Sequence, residues 1–258
     1  MNMNITTLKE KLHHNRLCIG SWITLANPAI AEIMAKAGFD WLTVDLEHSV
    51  ITIREAADLI RVIDLCGVVP LVRLSTNDPV QIKRVMDAGA HGVIVPMVNS
   101  AEEARMAVEA VRYPPKGKRG VGLARAQGYG SSFEKYKEWL NQESIVIVQV
   151  EHIKAVENLE AILSVDGVDG FIVGPYDLSG SLGIPGQFDH KLMVAAMSKI
   201  QTSIKTSSKI AGYHVVEPDV DQLQQRVQEG YRLLAYSVDI RMLDTCCRSV
   251  IKKIKDKT

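Results

Sequence analysis

Short runs of apolar, largely β-branched residues alternate along this chain with longer stretches in which apolar positions recur every three or four residues. Eight such pairs follow one another, with no change of composition to mark a linker. The pattern predicts strands at Cys18 to Ile23, Trp41 to Asp45, Val69 to Arg73, Gly92 to Pro96, Ile145 to Val150, Gly170 to Val173, Ile210 to His214 and Leu233 to Ser237. Helical spacing falls between them, at Pro28 to Ala37, Thr52 to Cys66, Pro79 to Ala88, Ser100 to Val111 and Val220 to Glu229. Strands joined by crossover helices run parallel, and almost continuously apolar runs such as IVIVQV and GFIVG suit strands covered on both faces. Eight of them favour a closed α/β barrel, (β/α)8, over an open doubly wound sheet, which would announce itself by a glycine-rich phosphate turn after its first strand. Here that strand runs into GSWITLANP, which is no such turn.

Length and charge narrow the picture. The 258 residues match what one barrel requires, so residues 1–258 are expected to form a single TIM-barrel domain. Hydrophobic residues at 47% are enough for a substantial core. Thirty basic side chains balance thirty acidic ones with no one-sign block, which removes the electrostatic footprint expected for nucleic acid or a membrane surface. A small molecule is the expected partner. Cys18, Cys66, Cys246 and Cys247 have no metal-binding spacing and read as thiols of a reducing compartment. Without a signal-like or membrane-length apolar segment, a cytoplasmic protein is expected.

Barrel enzymes carry their chemistry at the C-terminal ends of strands, and unusual polar residues collect there. The second strand leads into Asp45, Glu47 and His48, the third ends in Arg73, and the fifth ends in Gln149 and Glu151. The fourth turns at Pro96 and Met97, and the sixth runs into Gly174, Pro175 and Asp177. Glu151 and Asp177 follow neighbouring strands, so their carboxylates can converge; two carboxylates completed by water and substrate oxygens suit Mg²⁺ or Mn²⁺. Equally, Asp177 can cap a helix starting at Leu178 while Glu151 pairs with a cation. His48 has the imidazole of a general base, or of a structural loop residue. Arg73 can grip a carboxylate or an oxyanion with its planar fork, or be held in a salt bridge by Asp45 or Asp87. The remaining histidines, His13, His14, His91, His152, His190 and His214, form no constellation and read as surface or packing residues, as Trp22, Trp41 and Trp139 read as core. No strand interior carries a lysine, which argues against Schiff-base chemistry.

At these residues the chain resembles the HpcH/HpaI aldolase family, metal-dependent pyruvate aldolases of the phosphoenolpyruvate/pyruvate barrel superfamily. The likeness runs from about Gly20 to Ser237, through GSWITLANPAIAEIMAKAGFDWLTVDLEHS, VRLSTNDPVQIKRVMDAGAHGVIVPMVNSAEEA, YPPKGKRGVG and VQVEHIKAVENLEAILSVDGVDGFIVGPYDLSGSLG in that order. The resemblance implies His48 as proton acceptor, Asp87 as the aspartate that raises its basicity, and Arg73 as the group that stabilises the transition state. It implies Glu151 and Asp177 as ligands of one divalent ion per subunit (Mg²⁺, Mn²⁺ or Co²⁺), with Gln149, Gly174, Tyr176 and Asp177 against the substrate and Asp45 in support. The implied reaction is reversible retro-aldol cleavage of a 4-hydroxy-2-oxo acid, such as 4-hydroxy-2-oxo-heptanedioate or a 2-keto-3-deoxy-sugar acid, to pyruvate and an aldehyde. The alternatives are a citryl- or malyl-CoA lyase of the same superfamily, for whose coenzyme phosphates no basic stripe is seen, and a catalytically silent metabolite-binding barrel. Two departures from the family pattern, Tyr176 in place of a small residue and the loop GVGLARAQGYGSS, leave the substrate's identity open, and specificity is expected in the loops after strands one, four and six.

The last helical pattern, Asp239 to Ile254, sets Ile240, Leu243, Cys247, Val250 and Ile254 in one stripe. Such a stripe either closes the barrel against its own first strand or, as the resemblance implies, packs on a neighbouring subunit of a homo-oligomer, a hexamer built as a trimer of dimers.

Overall fold

The computed structural model describes residues 7–255. Eight parallel strands close into a barrel in the order β1 to β8: β1 (Cys18–Ile23), β2 (Trp41–Asp45), β3 (Val69–Arg73), β4 (Gly92–Val95), β5 (Ile145–Val150), β6 (Gly170–Val173), β7 (Ile210–Val215) and β8 (Leu233–Val238). This is the TIM barrel expected from the alternating pattern. The fourth strand stops one residue short of the expected Pro96, which lacks the N–H a ladder needs. The last two run one residue further than expected.

The helices are α1 (Leu8–His13), α2 (Pro28–Lys36), α3 (Ile53–Leu65), α4 (Pro79–Ala88), α5 (Ala101–Val111), α6 (Phe133–Gln142), α7 (Ile153–Glu157), α8 (Leu159–Leu163), α9 (Pro175–Ser181), α10 (Lys191–Thr206), α11 (Val220–Gln228) and α12 (Asp239–Lys255). Their starts are set by side-chain caps. Thr52 and Ser100, expected as first helical residues, are N-caps, and Thr52 closes a reciprocal box with Glu55. The irregular stretch after α5 contains a 3₁₀ segment, Arg125–Gly130, tied to α3 by Arg125, whose Nη2 meets Asp64.

Strand residues alternate between two packed layers. Outward residues such as Val44, Val72, Val93, Val148 and Val173 pack under the helices, and inward residues such as Trp22, Trp41, Leu71, Ile94, Ile147 and Ile172 fill the barrel interior. Gly20 is needed on β1 because a Cβ there would lie 2.1 Å from the Trp41 indole.

Helices α1, α6, α7, α8 and α10 are not among the helical spans named from the periodicity. Helix α1 buries Leu8 and Leu12 in the inner cluster, against the N-terminal end of the barrel. Between them Lys9 donates from Nζ to the Ser144 carbonyl at 2.7 Å and to Asp169 Oδ1 at 2.5 Å, while Asp169 Oδ2 accepts the Val146 N–H at 2.8 Å. Burial pulls the Lys9 ammonium below its ordinary value although Asp169 opposes this, so the pair is held by geometry rather than by a large net gain.

At the other end of the chain, α12 is anchored through Asp239. Its carboxylate accepts the Thr24 N–H at 2.9 Å, the Thr24 hydroxyl at 2.7 Å and the Leu25 N–H at 2.9 Å. The stripe beyond it faces solvent: Ile240, Leu243, Val250 and Ile254 are 45–63% exposed. The reading in which this stripe closes the barrel against its own first strand is therefore corrected. No helix among the described residues is long and apolar enough to cross a membrane.

Candidate active site

At the C-terminal mouth of the barrel a cavity of about 260 Å³ is lined by Trp22, His48, Arg73, Gln149, Gly174, Tyr176, Asp177 and His214, with apolar residues of β6 between them. Six of the residues singled out from the sequence thus meet at one opening.

The loop after β2 is shaped by Asp45. Its Oδ1 accepts the N–H groups of Glu47 (3.0 Å) and His48 (3.3 Å), an Asx-type turn that carries His48 up to the rim with its side chain 63% exposed. The same carboxylate takes the Arg73 fork: Nε to Oδ1 at 2.8 Å and Nη2 to Oδ2 at 2.5 Å. Burial would raise the Asp45 carboxyl, but the bidentate arginine outweighs it and holds the group below the usual carboxylate range. Arg73 also lies 4.5 Å from the Trp22 ring centroid and sends Nη1 to Glu47 Oε2 at 3.2 Å. Two of its edges are spoken for, so it acts as a fixed positive charge with Nη1 towards the carboxylates.

Glu151 sits at the end of β5 and is buried. It accepts the Met97 N–H at 2.6 Å, and its neighbour Gln149 donates Nε2 to its other oxygen. Met97 holds a left-handed backbone (φ 52°) just past β4, which aims that N–H at the carboxylate. Burial, with Glu47 and Asp177 nearby, pushes the Glu151 carboxyl up to about 7; burial, with Asp45 and Asp177, raises Glu47 to about 7 in spite of Arg73. Asp177 is the third residue of α9 and lines the cavity. It does not cap a helix beginning at Leu178, because the helix starts two residues before it, at Pro175. Tyr176 stands 5.0 Å edge-on from Phe188 and forms the outer wall.

Asp87 is not brought to His48. It lies in the last turn of α4, which runs back to the N-terminal end of the barrel, while His48 follows β2 at the C-terminal end. Its charged neighbour there is Arg119 at 3.8 Å, and its Oδ1 is buried without a hydrogen bond. Within one chain the His48–Asp87 dyad does not form, and Arg73 pairs with Asp45, not Asp87.

A family model described as HpcH/HpaI aldolase/citrate lyase matches residues 18–245. The chain belongs to this family. It is 38% identical over 253 residues to the hydroxypyruvate/pyruvate aldolase of Roseobacter denitrificans, covering 97% of this chain and 98% of that one. It is 40% identical over 238 residues to the 4-hydroxy-2-oxo-heptane-1,7-dioate aldolase of Salmonella typhimurium, covering 91% and 89%. The crystal structure of an HpcH/HpaI aldolase/citrate lyase family protein from Burkholderia cenocepacia superposes with a TM-score of 0.91 at 32% identity, covering 97% of this chain and all of that one. This member of the HpcH/HpaI family is a carbon–carbon lyase of the aldolase kind.

Three residues of its site escaped the sequence reading. Glu47 was visible at a strand end but received no role. Trp22 was read as core, and it is buried, yet it carries the Arg73 guanidinium and lines the cavity. His214 was read as packing. Its ring lies tilted beside Trp22, centroids 5.2 Å apart, and lines the cavity too; alternation along β7 was the available signal, since it turns His214 inward opposite Tyr213.

Proposed function

We propose that this enzyme is a divalent-metal-dependent pyruvate aldolase, cleaving a 4-hydroxy-2-oxo acid reversibly to pyruvate and an aldehyde. The observation that carries the reading is the crowding of Glu47, Glu151 and Asp177 beside a single arginine at the mouth, two of these carboxylates being raised to about 7. A cation relieves that repulsion. The buried Gln149 Oε1, which has no hydrogen-bond partner, adds a further unmet oxygen. An all-oxygen donor set fits a hard ion such as Mg²⁺, Mn²⁺ or Co²⁺, with Glu151 and Asp177 as its protein ligands and the other positions left to water and substrate. The ion supplies Lewis-acid polarisation of the keto oxygen of the 2-oxo acid.

The chain's own residues supply the rest. Gln149 and the Gly174–Asp177 turn position the carboxylate and keto group of the acid. His48, on the rim, takes the proton of the C4 hydroxyl; the C3–C4 bond breaks, its electron pair passes into the pyruvate enolate, the aldehyde departs, and the enolate carbon takes a proton from water to give pyruvate. Arg73, already fixed by Asp45 and Trp22, meets the charge developing on the enolate oxygen without reorganising. Its Nη1 turns from Glu47 only as far as that oxygen requires. Asp87 serves His48 across a contact between copies, the two being at opposite ends of one barrel. Homo-oligomer formation, in the form of a hexamer, also covers the apolar stripe of α12. The four free thiols suit a cytoplasmic enzyme.

The test is direct. Protein stripped with chelator should lose pyruvate formation from a 4-hydroxy-2-oxo acid and recover it with Mg²⁺, Mn²⁺ or Co²⁺, and Glu151→Ala or Asp177→Ala should lose metal affinity while remaining folded. Full activity in excess chelator refutes the reading.

A further inference from the structure

The cavity at the barrel mouth does not end at its own wall. A second cavity of about 600 Å³ adjoins it, and the two share Pro175, Tyr176, His214 and Val216 in their linings. The larger one has an apolar wall of Phe188, Met193, Met197 and Tyr213 and a charged one that includes Glu217 and Arg226. The smaller space accommodates the 2-oxo acid end of a substrate; a chain extending beyond the bond that breaks has this shared rim to cross. His214 stands on it.

The ring of His214 is fixed by a local irregularity of β8. Between Gly20 and Trp22 of β1 the register against β8 advances from Ala235 to Val238, a bulge that adds one residue on the β8 side. Ser237 takes it up in a left-handed conformation (φ 54°), unusual for a residue with a side chain, and is held there by its hydroxyl, which donates to the Val216 carbonyl at 3.0 Å. The bulge presents the Ser237 carbonyl to His214 Nε2 at 3.1 Å. A carbonyl only accepts, so Nε2 carries the proton. A second proton on the ring is opposed by its burial and by Arg73 nearby, which pull the imidazole down to about 3. Nδ1 is therefore a bare lone pair. No hydrogen bond to it is found among the described residues, and His214 lines both cavities with its ring beside Trp22, so this nitrogen is the acceptor the residue has left to offer.

We propose that His214 is a specificity-determining residue: its Nδ1 accepts a hydrogen bond from a hydroxyl on the half of the substrate that leaves as the aldehyde, selecting hydroxylated chains over deoxy ones. The proposal rests on the aldolase reading and adds to it the residue that reads the departing half. A site built to bond a hydroxyl discriminates against the analogue that lacks it, because the deoxy chain removes water from the acceptor and returns nothing.

The experiment measures condensation of pyruvate, by the metal-loaded protein, with two matched pairs: glycolaldehyde against acetaldehyde, and glyceraldehyde against propionaldehyde. The quantity read is the ratio of kcat/KM within each pair, compared between wild type, His214→Phe and His214→Gln. Phenylalanine keeps the ring beside Trp22 and loses the lone pair; glutamine keeps an acceptor. The hydroxyl preference should fall about tenfold or more in His214→Phe and be largely retained in His214→Gln. A general loss of folding or activity would lower both members of a pair and leave the ratio in place, so an unchanged ratio in His214→Phe overturns the proposal, as does an equal fall in both variants. Failure of the wild type to turn over any pair sinks the aldolase reading alone. Calorimetric affinities for the two aldol adducts of each pair, with and without the hydroxyl, then decide His214 by the same criterion.

Discussion

Replacing Arg73 by lysine conserves charge and removes the fork. In the native site the guanidinium makes contacts at 2.8 and 2.5 Å to the two oxygens of Asp45, one at 3.2 Å to Glu47, and lies 4.5 Å from the Trp22 ring centroid. A lysine ammonium, a point donor on a flexible stem, keeps one of these partners at a time. Loss of two charge-assisted contacts, each worth about 1.5–3 kcal/mol and partly replaced by water at the mouth, gives a destabilisation of roughly 2–4 kcal/mol. For a domain of this size that lowers Tm by about 5–15 °C. Arg73→Met goes further. The Asp45 side chain is 1% exposed and would be left charged and unpaired, at a cost of roughly 3–5 kcal/mol. The sign with pH is fixed: the folded-state value of Asp45 is depressed, so the stability it contributes is present above its unfolded value of about 4 and lost as pH falls through the folded one. The gap between wild type and Arg73→Met should thus be widest near neutrality and narrow in acid. For catalysis, losing a fixed donor at the developing oxyanion predicts a fall in kcat of about 100-fold or more in Arg73→Lys. Urea denaturation at several pH values and steady-state kinetics provide the two readouts. An Arg73→Lys enzyme with near-normal Tm and kcat would show that charge alone matters and refute the reasoning.

Four shorter predictions follow from other parts of the molecule. Glu151, raised to about 7 in the fold, contributes stability that is fully present below its unfolded value of about 4.3 and lost as pH rises through 7, so chelator-treated protein should be more stable at pH 5 than at pH 8, by roughly 3 kcal/mol. Mg²⁺ should flatten the difference and Glu151→Gln should reduce it, Glu47 keeping its own share; a slope unaltered by both would count against it. Lys9→Met should cost roughly 3–5 kcal/mol in denaturation, by leaving the buried Asp169 with only the exposed His13, at 3.7 Å, in place of its lysine, while the kcat of the folded fraction stays normal; a stable Lys9→Met protein would contradict this. His48→Ala should depress cleavage far more than it weakens pyruvate binding, and equal losses in kcat and affinity would remove His48 from the role of base. Light scattering at micromolar concentration should give a mass several times the 28.5 kDa chain, and a fully active monomer would exclude the assembly.

The barrel was legible because its strands are covered on both faces. A run such as Ile145–Val150 leaves few alternatives to a buried parallel strand. Helix α1 was missed because six residues offer little periodicity, although Thr7 and Glu10 are a readable capping box. At the site, Asp45, Arg73 and Glu151 could be picked out as charges at the ends of apolar strands, where an unpartnered charge is costly. His214 could be placed on the inner face by alternation along β7, but what fixes its ring is a bulge in β8 that leaves no trace in hydropathy. Asp87 shows the reverse limit: resemblance gave it a role beside His48, and only the direction of α4 reveals that one chain keeps them apart.

The docking of α1 also bears on the order in which a growing polypeptide takes shape. Lys9 bonds to Ser144 and Asp169, partners 135 and 160 positions further along the chain, so its anchoring sites are made only after more than half of the barrel has been synthesised. Until then α1 has neither the inner cluster to cover nor a counter-charge for its lysine, and a six-residue helix does not persist alone in water. A segment made well before its partners is thus among the last to settle, and ribosome-bound chains truncated before Asp169 should leave Lys9 open to amine-reactive labels that the finished barrel excludes.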